Sequence, residues 1–385
     1  MDRRSLLIAH PSADLYGSDR VMLEAIDAAV GRGWQVHVTV PGPGPLVEEV
    51  RLRGGDVSLC PTPVLRKSAL RPAGLVRLIG ATVRGTVAGV RLLRTVRPQV
   101  LYTSTLTIPL WIALARLSRR PVLVHVHESE RAAPRLLRRL LATPLLVATA
   151  VVVNSEFSRS VLADSFRSLG RRSRVLYNGV PGPEHAVPPR PAIAGPARLL
   201  FVGRLSPRKG PQVAVEVVRL LTEAGRDVTL DVVGSVFPGY EWFEEQLRRQ
   251  IREAGLLDRV RLQGFRPDVF PSLAAADVLL VPSQGDEPFG NIAVEGALAA
   301  RPVLVSTGSG LDEAVQGMAA ARRLPPDDAT AWADEVVRLL EDWDAVRGDA
   351  VTDAVTARSR YAPEVFRTAL ADRLDELAGT PAVTR

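Results

Sequence analysis

The stretch that decides the fold reads Val278-Leu-Leu-Val-Pro-Ser-Gln-Gly-Asp-Glu-Pro-Phe-Gly-Asn-Ile-Ala-Val-Glu295. Its first four residues are an uninterrupted apolar run, the pattern of a strand buried on both faces. The periodic segment from Ile292 to Ala299 predicts a helix. A loop at the carboxyl end of a parallel strand, feeding a helix N-terminus, is where open α/β sheets bind ligands. Gly290 stands at the junction, where a missing Cβ lets backbone amides approach a ligand. Glu287 lies in the loop and Glu295 about one turn inside the helix. Two glutamates at that spacing are by themselves ordinary solvated acids, so the surrounding chain has to decide.

Around this stretch the α/β rhythm is regular. Strands are expected near Arg198–Val202, Val228–Val233, Val260–Gln263, Val278–Val281 and Pro302–Val305. Upstream they are expected at Leu6–Ala9, Gln35–Val40, Val57–Leu59, Val100–Thr103, Val122–Val126, Ala150–Val153 and Arg174–Tyr177. Helical patterns alternate with them, which argues for parallel, doubly wound sheets. The first loop, His10 to Ser18, lacks a full G-x-G-x-x-G, so it does not support dinucleotide binding. Six prolines between Val180 and Ala197 read as a linker. The expected organisation is therefore a domain over 1–180, a linker over 181–197, a second domain over 198–360 and a last helix over 361–385. The chain closes with two helical segments, expected near Ala329–Trp343 and, as that last helix, Pro363–Leu377.

Composition narrows the class. A chain of 385 residues is too long for one compact core. The single cysteine, Cys60, permits no internal disulfide and fits a reducing cytosol. No early apolar run resembles a signal peptide, and no segment reaches transmembrane length. A cytoplasmic protein is the expectation, with attachment to the inner face of the cell membrane as an added reading. The net charge of +7 is local: 64–98 holds eight basic residues (Arg66, Lys67, Arg71, Arg77, Arg84, Arg91, Arg94, Arg97) and no acid. With 5% aromatics and no recognised module, nucleic acid is not the expected partner. An amphipathic, basic-faced helix is expected there, with apolar positions at Leu75, Val76, Ile79, Val83, Val87, Val90 and Leu93. It either exposes a solvated arginine face or meets an anionic membrane. Arg135–Ala142 offers the same alternatives.

Taken together, Pro-Ser283-x(3)-Glu287-Pro-Phe289-Gly290-Asn291-Ile292-x(2)-Glu295-Gly, Arg301-Pro-Val-Leu-Val-Ser306 and Gly203-Arg-Leu-Ser-Pro-Arg-Lys-Gly210 resemble the nucleotide-sugar site of retaining family-four glycosyltransferases. The likeness spans most of the chain and is strongest from Gly203 to Ser306. It implies the GT-B fold, two Rossmann-like domains facing each other across an inter-domain cleft, the first binding the acceptor and the second the nucleotide sugar, with the last helix packing back on the first domain. It implies a retaining hexosyltransferase moving a sugar from a UDP- or GDP-linked donor to a glycan or lipid-linked acceptor, with no cofactor and no metal.

In that resemblance Arg204 and Lys209 grip the diphosphate, Glu287 meets the donor sugar and Glu295 the ribose. The Phe289, Gly290 and Asn291 amides hold sugar and phosphates, and Gly264-Phe265-Arg266 surrounds the base. Independently, Lys209 is one of only two lysines beside 47 arginines. A compact ammonium at that position is therefore a specific choice. Core packing is the commoner fate of a residue such as Phe265. Gly308-Ser-Gly310 is a further, weaker candidate to face the donor. His127 matches the strand-end histidine near the reacting carbon, and His125 shares its face; a structural role is the rival for either. Gly17-Ser18 fits the family's glycine pair only at its first position. Pro181 replaces the usual acid after Asn178-Gly179-Val180, and Gln316–Arg323 lacks the usual glycine-rich turn. Epimerase, phosphorylase and catalytically silent binding protein are the alternatives.

Overall fold

The computed structural model describes residues 4–15, 17–65, 72–129, 131–237 and 239–379. Within the basic stretch, Arg66, Lys67 and Arg71 lie outside the described residues, as do the side chains of Leu75 and Arg77.

The described chain forms two compact units, Met1–Gly179 with Pro363–Arg385, and Val180–Ala362. The first holds β1 (Ser5–Ala9), β2 (Gln35–Val40), β3 (Asp56–Leu59), β4 (Val100–Thr103), β5 (Val122–Val126), β6 (Ala150–Val153) and β7 (Ser173–Val175). They form one sheet in the order β3-β2-β1-β4-β5-β6-β7. The second unit holds β8 (Ala197–Val202), β9 (Val228–Val233), β10 (Val260–Gly264), β11 (Val278–Val281), β12 (Val303–Ser306) and β13 (Ala321–Leu324). Their order is β10-β9-β8-β11-β12-β13. Every pairing is parallel. Each sheet thus runs outward from its first strand in both directions, the doubly wound order with a switch point beside β1 and beside β8.

The apolar runs explain why these strands form. Neighbouring side chains point to opposite faces, so Leu6 and Ile8 enter one core while Leu7 and Ala9 enter another. Helices Gly17–Gly31 and Pro363–Gly379 cover the first face. Helices Pro72–Val96, Pro109–Leu117 and Arg135–Ala142 cover the second.

Several expectations shift. The prolines of 181–197 do not make a free linker, because Arg190 fastens them to the second unit. Its Nε donates to the buried Asp277 at 2.8 Å, and its carbonyl accepts from Trp343 Nε1 at 2.9 Å. Arg301 is buried and its guanidinium donates to the carbonyls of Leu273, Ala300, Val187 and Ala274, so it ties backbone together. β13 and the helix Trp343–Tyr361 were not expected. The last helix, Pro363–Gly379, is no such shift: it belongs to the first unit, the place the resemblance implies for it. There Arg367 donates to Glu24 at 2.7 Å, and Trp34 Nε1 donates to Asp375 at 3.0 Å.

Candidate functional site

In the second unit the register brings the loops after β8 and β11 to one end of the sheet. Phe201 of β8 pairs with Leu280 of β11, so Gly203 and Pro282 leave their strands at the same level. The two loops are stitched by backbone: Gln284 N–H donates to the Arg208 carbonyl at 2.7 Å. Gly210 adopts φ 76°, and a Cβ there would stand 1.9 Å from the Pro282 carbonyl oxygen. Only glycine permits that approach.

The side chains then meet. Lys209 Nζ donates to Glu287 Oε2 at 2.5 Å, and Arg208 Nη1 reaches the same oxygen at 3.3 Å and the Asp286 carbonyl at 2.9 Å. Burial acts to raise the Glu287 carboxyl. The charges and hydrogen bonds of Lys209 and Arg208 outweigh it, leaving the pKa below the usual 4.5. Glu287 is thus an anion at neutral pH, held between two cations. Its carbonyl accepts from Gly310 N–H at 2.8 Å, which fixes the loop from the other side and commits that amide to structure. Gly290, at φ 103°, lies against the Glu287 side chain and leads into the helix Asn291–Leu298.

The remaining expected residues of this unit lie at the end of β10, on the loops after β8, β10 and β11 and on the helix Asn291–Leu298. The Arg204 guanidinium lies over the Phe237 ring, 3.2 Å from its centroid, a cation–π contact that sets its direction. Gly203 and Gly264 both border Gly234, which donates to the Gly264 carbonyl at 2.8 Å. The loops after β8, β9 and β10 therefore open together. Phe265 is 55% exposed, so it is not a core residue; Arg266 is exposed beside it. Phe289, in contrast, is buried edge-to-face on Tyr361 with centroids 5.3 Å apart, so only its backbone is available to a ligand. Ser283 is buried, while Asn291, Ile292 and Glu295 are half-buried along the helix. Arg208 was missed in the sequence, where Arg204 and Lys209 drew attention; its position one residue before Lys209 was the available signal.

The first unit has its own constellation at the same place in its topology. Ala9 of β1 pairs with Thr103 of β4, which sets His10 beside Ser104. His10 Nδ1 is 2.5 Å from Ser104 Oγ, and its Nε2 is 2.6 Å from Asp19 Oδ1. All three side chains are buried. His125 is wholly buried inside β5, hydrogen-bonded to Tyr102 at 2.8 Å, so it is structural. His127 follows the strand end with its ring 3.9 Å from that of His125. Its Nε2 is covered and has no hydrogen-bond partner among the described residues. Burial, with the nearby His10, lowers its pKa to about 3, so the imidazole is neutral at physiological pH. Glu128 accepts from Thr105, and burial raises its carboxyl. Gly17 and Ser18 open the helix Gly17–Gly31 and are exposed. His10, Asp19 and Ser104 were not expected as a group, because they come from three separate elements. No group of three or more His, Cys, Asp or Glu able to hold a metal occurs among the described residues.

Comparison with known proteins assigns the family. Residues 196–342 match the family described as Glycosyl transferases group 1, and residues 16–181 match Glycosyltransferase Family 4. The chain belongs to glycosyltransferase family four. The family-four chain is 38% identical over 144 residues to 2-deoxystreptamine glucosyltransferase of Streptomyces kanamyceticus, covering 37% of this chain and 36% of that protein. It is 32% identical over 200 residues to the amylovoran biosynthesis glycosyltransferase AmsK of Erwinia amylovora, covering 49% and 47%. These matches span roughly a third to a half of the relatives' lengths. Among solved structures, Anabaena Alr3699/HepE in complex with UDP-glucose superposes with a TM-score of 0.81 at 20% identity, covering 97% of this chain and 99% of that one. The superposition establishes the GT-B fold for this family-four protein.

Proposed function

We propose that the chain transfers a hexose from a nucleotide-diphosphate donor to an acceptor, with retention at the anomeric carbon. The observation that carries this reading is the joining of Lys209, Arg208 and Glu287 at the switch-point end of the second sheet. A departing nucleoside diphosphate gains negative charge as the glycosidic bond breaks. A cation about 4 Å away in partly screened surroundings supplies on the order of 4 kcal/mol of raw Coulomb energy. Lys209 and Arg204 carry that charge in this reading, with Arg208 as a third cation. Glu287 orients Lys209 and meets the sugar's hydroxyls, and Glu295 takes the ribose. A neutral His127 is suited to accept or donate a hydrogen bond near the reacting carbon. The structural relative bound to UDP-glucose supports a uridine donor, and the acceptor is a glycan or lipid-linked saccharide.

The test is turnover of a panel of UDP- and GDP-sugars, read as release of nucleoside diphosphate with and without acceptor. Lys209→Ala should lose about a hundredfold or more. Near wild-type transfer by a folded Lys209→Ala protein would defeat the assignment, and an epimer formed from donor alone would move the protein to another reaction class.

A further inference from the structure

Two basic helices of the first unit turn apolar stripes outward, and sugar transfer uses neither. In Pro72–Val96 the inward side is fixed by close packing. A Cβ at Gly85 would stand 2.4 Å from the Pro61 carbonyl oxygen, and one at Gly89 would stand 2.6 Å from a Leu114 methyl. Leu93, on the same side, is buried. At ~100° per residue the opposite side carries Val76, Ile79, Val83 and Val87. All four are exposed, Val76 to 71%. Arg84, Arg91 and Arg94 are exposed alongside, and the helix contains no acid.

Arg135–Ala142 repeats the arrangement. Leu136 and Leu140 stand exposed one turn apart, Arg135 and Arg139 are exposed next to them, and again there is no acid. Both helices lie on one face of the seven-stranded sheet, since Leu93 and Ala142 share a core cluster with Leu7, Leu101 and Val124. Single exposed apolar residues are ordinary; stripes on two helices, bordered by uncompensated arginine, are a surface with a partner.

The composition selects among partners. The stripes hold only aliphatic side chains, without the aromatic anchors that protein interfaces concentrate. Aliphatic groups flanked by guanidinium match the acyl boundary and phosphate layer of a bilayer. We propose that this face binds an anionic lipid surface. No helix among the described residues is long and apolar enough to cross a membrane, so the contact is interfacial. The proposal does not depend on the sugar-transfer reading.

Sedimentation with vesicles tests it, comparing phosphatidylcholine alone with equal parts phosphatidylcholine and phosphatidylglycerol. The protein should partition onto the anionic vesicles and remain in solution with the neutral ones. Combined Arg84→Gln, Arg91→Gln, Arg135→Gln and Arg139→Gln should weaken partitioning by at least about tenfold, from roughly fivefold per cation near the surface. Combined Val83→Ser, Val87→Ser, Leu136→Ser and Leu140→Ser should also release it, with near-ultraviolet circular dichroism showing both variants folded. Absence of partitioning, equal partitioning on the two vesicle types, or insensitivity to both variants overturns the proposal. Saturable binding of polyglutamate that displaces the vesicles reassigns the face to an acidic protein and overturns it equally.

Discussion

The two sheets share a strand order, but the loops at their switch points do opposite electrical work. After β8 and β11, Lys209 and Arg208 converge on one carboxylate, so the loops carry excess positive charge near solvent. After β1 and β4, the hydrogen-bonded groups His10, Asp19 and Ser104 are buried, and the adjacent His127 is held neutral. One topology fixes where functional groups gather, and the loop residues decide whether the place suits a polyanion or an uncharged hydroxyl. That difference is what separates a donor-binding half from an acceptor-binding half in the proposed reaction.

The strongest way to break the comparison is to remove one polar group from each end. Lys209→Ala should cost about a hundredfold in turnover, some 2.7 kcal/mol at the transition state. Ser104→Ala should leave nucleotide binding, followed by calorimetry, within about twofold; equal losses of binding in the two variants would erase the distinction. Next in size is a stability contrast. Asp277 is buried and accepts from Arg190 at 2.8 Å and from the Arg198 amide at 2.7 Å. Asp277→Ala should destabilise the second unit by about 2 kcal/mol. Hydrogen exchange should report the loss in β8 and β11 while β1 and β4 keep their protection.

Titration sharpens the contrast further. The His127 pKa lies below its unfolded value, so between about pH 6.5 and about 3 the unfolded chain binds the extra proton. Stability therefore falls as pH drops through that window, and His127→Gln should flatten the slope there. The Glu287 carboxyl also titrates below its usual 4.5. Its contribution is complete above that value and disappears as pH falls through the depressed one, so Glu287→Gln should alter only the more acidic limb. The smallest effect belongs to a cluster outside both sites. Arg219 bridges Glu216 at 2.6 Å and Glu223 at 2.5 Å on a solvent-exposed helix surface, so Arg219→Ala should leave the chemical denaturation midpoint unchanged.

Much of this was legible in the chain. Buried parallel strands such as Ala150–Val153 and Val278–Val281 are continuous apolar runs, and their limits in the structure match the runs residue for residue. β13 was not legible because Ala321-Arg-Arg-Leu324 is a half-exposed edge strand carrying two arginines. The helix Trp343–Tyr361 buries Trp343, Val346 and Tyr361 near its ends, but the middle of that side is Ala350, Asp353 and Ala357, residues too small or too polar to carry a core periodicity across it. In Pro72–Val96 the apolar residues were visible, but the inward face is made by glycines, which no hydrophobic pattern reports. Lys209 and Glu287 could be named from their loops. Their contact could not, since it depends on Gly210 passing the Pro282 carbonyl.

The return of Pro363–Gly379 to the first unit has a consequence for synthesis. Phe366, Leu370 and Leu374 complete a core begun by Leu6 and Ile8, so a ribosome must emit the whole second unit before the first can close. During that interval one face of the nascent amino-terminal sheet is only partly covered, and premature termination anywhere in the second unit leaves the gap permanently open to aggregation.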